Sequence, residues 1–181
     1  MKLFFISDLH GSLPATEQVL EKYRASGADY LVILGDILNH GPRNPVPQGY
    51  QPAAVARLLN YYSEQIMAVR GNCDSEVDQM LLDFPMLESY SWILLEKGTR
   101  IFLTHGHLYN SDKRPPLKKG DVLAYGHTHI PVAEQSNGQF IYNPGSITFP
   151  KEGYPASYGL LEGNTFSVLS FSDKLLKQVS L

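Results

Sequence analysis

The chain has 181 residues, 43% of them hydrophobic, and a formal net charge of −3. That length suits one compact domain able to bury most of its apolar surface. The mild charge offers neither a basic face for nucleic acid nor an acidic tail. A single cysteine excludes an internal disulfide framework and fits a reducing cytoplasm.

The opening M-K-L-F-F-I-S-D places only four apolar residues before Ser7 and Asp8, too few for the apolar region of a secretory leader. No later run approaches the ~18 apolar residues of a membrane span. L-F-F-I (3–6) reads as a first buried strand. Residues 14–27 then place Ala15, Val19, Leu20 and Tyr23 on one helical face, with Pro14 suited to the first turn and Gly27 to a C-terminal cap. Y-L-V-I-L (30–34) is a second strand. A second helix is expected from Pro52 to Tyr62, followed by the strand I-M-A-V (66–69). Strand–helix–strand–helix–strand implies a parallel sheet with right-handed crossovers.

Two further buried runs follow, I-F-L (101–103) and V-L-A-Y (122–125), and the pattern then changes. V-A-E-Q, S-N-G and Q-F-I-Y form a hairpin signal, because Asn137-Gly138 favours left-handed turn conformations. A further strand pair flanks Gly163-Asn164. Antiparallel strands after parallel ones suggest a second sheet packed on the first, within one domain spanning 1–181. Two loops are long. Residues 39–52 carry four prolines and read as a stiff connector or a substrate lid; residues 110–120 carry Lys113, Arg114, Lys118 and Lys119 and read as a solvated loop or a phosphate-attracting rim.

Each of the five runs leads into potential ligands: Asp8 and His10, then Asp36, then Asn72 and Asp74, then His105 and His107, then His127 and His129. Open α/β sheets place their sites at the carboxyl edges of strands, so the five clusters converge on one edge. Singly each is weak, since an Asp after a strand is commonly a turn former. Together they point to metal. Oxygen from Asp8, Asp36 and Asn72, with nitrogen from four histidines, suits Mn²⁺, Fe²⁺ or Zn²⁺. Seven side chains are too many for one ion. Two ions sharing a carboxylate explain the count.

In this order D-x-H, G-D, G-N-C-D, a His after a strand and G-H-T-H resemble the calcineurin-like metallophosphoesterase superfamily. R-G-N-C-D, L-T-H-G-H, Y-G-H-T-H and N-P-G-S look most like its YfcE-type phosphodiesterase branch. The resemblance implies a four-layer α-β-β-α sandwich of two mixed sheets. It implies one metal on Asp8, His10 and His129, another on Asn72, His105 and His127, and Asp36 between them. It also implies in-line attack on phosphorus by a hydroxide held between two divalent ions, most simply Mn²⁺, with Fe²⁺, Zn²⁺ or Ni²⁺ as alternatives. Asn72 would position the phosphate, Arg70 or Arg43 would clamp an oxygen, His40 would face the substrate from the proline-rich loop, and Asp74 would fix neighbouring geometry.

Cys73 stands where much of the superfamily has a histidine. Cysteine-dependent phosphatases place an arginine six positions after the thiolate, and here that residue is Gln79. Cys73 is therefore not read as a nucleophile. A neutral thiol is also a poor proton donor to a leaving alkoxide, and such help is worth ~10²–10⁴-fold. The expectation is a cytoplasmic phosphodiesterase for a small-molecule substrate, weak on monoesters, with no nucleic-acid or membrane partner and with a homo-oligomer left open. A protein-binding scaffold of the same fold and a phosphomonoesterase or nucleotidase are the rivals.

Overall fold

The computed structural model describes residues 1–181 apart from the side chain of Lys97. Eleven strands form two mixed sheets. The first contains β1 (Leu3–Ile6), β2 (Tyr30–Ile33), β3 (Ile66–Ala68), β9 (Ser157–Glu162), β10 (Thr165–Ser170) and β11 (Leu175–Ser180), in the order β11-β10-β9-β1-β2-β3. The second contains β4 (Tyr90–Leu94), β5 (Arg100–Thr104), β6 (Val122–Ala124), β7 (Val132–Ser136) and β8 (Gln139–Asn143), in the order β4-β5-β6-β8-β7. β1, β2 and β3 pair in parallel, as do β5, β6 and β8; the remaining pairings are antiparallel.

All four residues of β1 are buried, because both faces of this strand are covered. Leu3 and Phe5 enter the core between the sheets with Val32, Leu103, Val122, Tyr142 and Phe166. Phe4 and Ile6 point the other way, into a core shared with the helices α1 (Leu13–Ser26) and α2 (Pro52–Asn60). Val19, Leu20 and Tyr23 fill the inner face of α1, and Val55, Ala56 and Leu59 that of α2. α1 has Pro14 in its first turn and ends at Gly27, whose φ of 63° is a left-handed cap conformation that costs glycine little.

The two mixed sheets are those expected, and two finer features differ from the sequence reading. β5 and β6 belong to the second sheet, so the five ligand-bearing strand ends do not share one edge; they occupy two edges that lie side by side. The outer face of the second sheet is covered by the segment between β5 and β6 and not by a long helix. There Tyr109 and Leu117 pack on Phe102, Leu123, Tyr125 and Ile141. Arg114 is held by Ser136 and Gln139 of the β7–β8 hairpin, and Lys118 Nζ donates to the Gly98 carbonyl. These cations fasten a covering loop and do not form a rim around the ligands.

Candidate metal centre

The loops after β1, β2, β3, β5 and β6 meet where the two sheet edges adjoin. Backbone bonds set their register: Asp8 N–H donates to the Gly35 carbonyl, His10 N–H to Asp36, and Gly126 N–H to His105. Asp8, His10, Asp36, His127 and His129 all have φ between 48° and 63°. Left-handed backbone costs a non-glycine residue roughly 1–2 kcal/mol, so this strain is concentrated on five candidate ligands. The N-P-G-S turn supports the arrangement from behind. Asn143 donates to the Gly126 carbonyl at 2.9 Å, and Ser146 Oγ donates to the Asp8 carbonyl while accepting the N–H groups of Thr148 and Phe149.

Seven candidate ligands form one connected cluster. His129 Nε2 lies 3.2 Å and His10 Nε2 3.8 Å from Asp8 Oδ1. Asp36 Oδ2 lies 3.7 Å from His10 Nε2 and 3.4 Å from His105 Nε2, between two groups of imidazoles. On the far side, His105 Nε2 is 3.1 Å from Asn72 Oδ1 and 3.2 Å from His127 Nδ1. Three rings are aimed by carbonyls: His10 Nδ1 donates to Asn39, His105 Nδ1 to Leu34 and His129 Nδ1 to Phe149. Each of those bonds turns the remaining nitrogen inward, as metal-ligating histidines require.

The donor set fits a cation. Asp8 Oδ1 and His10 Nε2 are buried and have no hydrogen-bond partner. A buried carboxylate oxygen and a buried imidazole nitrogen left unsatisfied each cost more than 1 kcal/mol, and a shared cation removes both costs. Asp8–His10–His129 and Asp8–Asp36–His105 are each close enough to hold an ion; His10–Asp36–Cys73 forms a third such group.

Electrostatics of the metal-free cluster follow from the same contacts. Burial opposes ionisation of Asp8 and Asp36, yet His129 beside Asp8 and His105 beside both hold the two carboxyls below their ordinary range. His105 is buried too, but Asp36 and Asp8 push it up to about 9. Burial and the nearby His105 push His127 down to about 4. Burial and the charge of Asp36 raise the Cys73 thiol far above its usual value, so it is neutral.

Residues 1–165 match the model of the calcineurin-like phosphoesterase superfamily domain. This chain belongs to that superfamily. It is 58% identical over 182 residues to Phosphodiesterase YfcE of Escherichia coli strain K12, covering 100% of this chain and 98% of the relative. A solved structure described as Yfce, a phosphoesterase from E. coli, superposes with a TM-score of 0.97 at 57% identity, covering 99% of each chain. Vacuolar Protein Sorting 29 from Cryptosporidium parvum shares the fold, with a TM-score of 0.65 at 20% identity over 99% and 98% of the two chains. With that membership, and with a named phosphodiesterase this similar along its whole length, the chain is a metal-dependent phosphoester hydrolase.

Within this phosphoesterase the other sequence-singled residues fall in distinct places. Cys73, Asn72 and Arg43 line a cleft of about 470 Å³ over the cluster, together with Asp36, His127 and His129. Cys73 N–H donates to Asp36 Oδ1 at 2.8 Å, so the residue also helps aim the central carboxylate. Asp74 takes no place in the cleft. It is buried and accepts the N–H groups of Asp36, Ile37 and Gly71 at 2.7–2.8 Å, which makes it a positioning residue. Arg70 is not among the residues lining the cleft; its Nε donates to the Asp74 carbonyl and its Nη1 pairs with Glu76. His40 stacks edge-on against Tyr50, with Nδ1 buried and unpaired. His107 is exposed, its ring 5.5 Å from that of His105 and 6.2 Å from that of His127. Sequence reading overlooked Asn44 and Lys151, which also line the cleft.

Proposed function

We propose that the chain is a dinuclear phosphodiesterase acting in the cytoplasm on a small soluble diester. Asp8, His10 and His129 would hold one divalent cation, and Asn72, His105 and His127 the other, with Asp36 shared. The single observation that carries the reading is the position of Asp36 Oδ2, within 3.7 Å of His10 and 3.4 Å of His105, in the middle of the seven-residue cluster. Two carboxylates, an amide oxygen and four imidazoles favour Mn²⁺, with Fe²⁺, Zn²⁺ and Ni²⁺ compatible. When bound, such a pair draws a nucleophile from water at neutral pH and neutralises charge on the phosphoryl oxygens.

The chain's own groups do the rest. Asn72 presents its amide in the cleft beside the cluster and orients a phosphoryl oxygen. Arg43, on the cleft wall, offers planar donors to a second oxygen. Neutral Cys73 serves neither as nucleophile nor as an effective proton donor to the leaving alkoxide. Good leaving groups are therefore favoured, and dianionic monoesters, which need more positive contact near phosphorus, turn over poorly.

The test compares bis(4-nitrophenyl) phosphate with 4-nitrophenyl phosphate in the presence of Mn²⁺. The wild-type protein should hydrolyse the diester at least tenfold faster, and Cys73→His, which restores a positive contact near phosphorus, should raise monoester turnover relative to diester. Equal rates on the two esters, or an unchanged ratio in the variant, would remove the argument.

A further inference from the structure

Lys151 is not part of any ligand motif, yet the fold brings it to the cleft. Its backbone N–H donates to the carbonyl of His129 at 3.3 Å, and the same loop supplies the Phe149 carbonyl that aims the His129 ring. Arg43 reaches the cleft on a different loop that is fixed just as closely. Asn39 supplies its carbonyl to His10, Asn44 bonds back to His40 and Gly41, and Gly41 lies against Cys73 so tightly that an added Cβ would meet Sγ at 2.6 Å. Two cations are thus carried on loops tied to candidate ligands. Neither forms an ion pair among the described residues, as is true of most of the chain's lysines and arginines, so both charges are free to meet a ligand.

The rest of the lining defines the chemistry further. Apart from imidazole, the cleft lining contains no aromatic side chain, and Pro42 is its one large aliphatic surface. A nucleobase would find no phenyl, phenol or indole platform there, only the guanidinium plane already given to the phosphoryl group, and aromatic stacking is a principal way in which proteins hold bases. A diester carries one negative charge, and Arg43 with the metals already answers it. Lys151 is a surplus positive charge.

We infer that Lys151 is a specificity-determining residue that pairs with an anionic group, a carboxylate or a further phosphate, on the ester arm of the substrate remote from the reacting phosphorus. This rests on the diesterase reading and narrows it. The preferred substrate class is a polar, acidic phosphodiester and not a nucleoside diester. A charge-assisted contact from an exposed lysine supports a preference of about three- to fivefold, and that preference weakens as salt screens it.

The experiment uses two matched pairs. The first is ethyl 4-nitrophenyl phosphate and 2-carboxyethyl 4-nitrophenyl phosphate, compared by kcat/KM. The second is the ethyl and 2-carboxyethyl monoesters of methylphosphonate, which the enzyme cannot turn over readily, compared by Kd with calorimetry on the Mn²⁺-loaded protein. In both pairs wild type should favour the carboxylate by about three- to fivefold in low salt, and the ratio should shrink as ionic strength rises. Lys151→Gln should bring both ratios to within twofold of unity. Ratios of unity in wild type, or a preference retained in Lys151→Gln, would overturn the inference while leaving the diesterase reading intact. Failure of wild type to hydrolyse either nitrophenyl diester would count against both.

Discussion

Gly71→Ala tests how closely the cluster is fitted around Asp36. A Cβ on residue 71 would lie 2.1 Å from Asp36 Oδ1, 2.3 Å from its backbone nitrogen and 2.9 Å from Cγ. Ordinary van der Waals contact begins at 3.4 Å, so the Asp36 carboxylate must retreat by more than 1 Å or the loop must open. Gly71 does not have positive φ, so alanine introduces steric conflict without backbone strain. Overpacking of this kind costs about 1–3 kcal/mol, and a misplacement near 1 Å in a catalytic constellation costs about 10²-fold in rate. Near 2–4 °C per kcal/mol for a chain of this size, the melting temperature should fall by roughly 2–12 °C. The variant should fold, bind less than its full complement of Mn²⁺ by elemental analysis, and lose about 10²-fold in kcat on an aryl diester. Full metal content with kcat within threefold of wild type would show that Asp36 is not held where the account needs it.

Two further outcomes follow from His105, whose ring is pushed up to about 9 in the metal-free protein. Ligation requires the neutral ring, so Mn²⁺ binding at pH 7.5 should release about one proton per chain, measured by calorimetry in buffers of different ionisation enthalpy. No proton release would contradict the assignment of His105 as a ligand. Because the folded value lies above the ordinary histidine value of 6.5, His105 stabilises the metal-free protein fully below pH 6.5, and this contribution is lost as pH rises through about 9. Urea unfolding of chelator-treated protein should therefore lose about 3 kcal/mol between pH 6.5 and 9.5; a flat profile over that interval would refute the pairing of His105 with Asp36 and Asp8.

The candidate ligands were legible because each follows a strand that can be read from sequence. Runs such as L-F-F-I and Y-L-V-I-L are buried on both faces, and continuous apolar strands announce themselves. β4 and β11 were not foreseen. Both lie at sheet edges: the W-I-L-L run (92–95) is apolar but Leu94 is exposed, and in β11 Leu175 is exposed and followed by Leu176, Lys177 and Gln178 without a clean alternation. The allocation of β5 and β6 to the second sheet was equally hidden, because a parallel pair reads the same in either sheet. Within the site, side-chain donors could be listed in advance, but the carbonyls of Leu34, Asn39 and Phe149 that aim three of the rings could not, since every residue carries a carbonyl. Lys151 was missed because its place depends on one backbone bond to His129 and on no motif of its own. For Arg70 residue type alone suggests a clamp; its Nε is bound to the Asp74 carbonyl and its Nη1 pairs with Glu76, contacts that no motif announces.

Crystals soaked in Mn²⁺ and measured at the manganese absorption edge would test the paired-cation claim most directly. Two anomalous peaks about 3.5–4 Å apart should appear, with Asp36 in contact with both, His10 and His129 on one, and His105 and His127 on the other. A single peak, or peaks away from Asp36, would contradict the account.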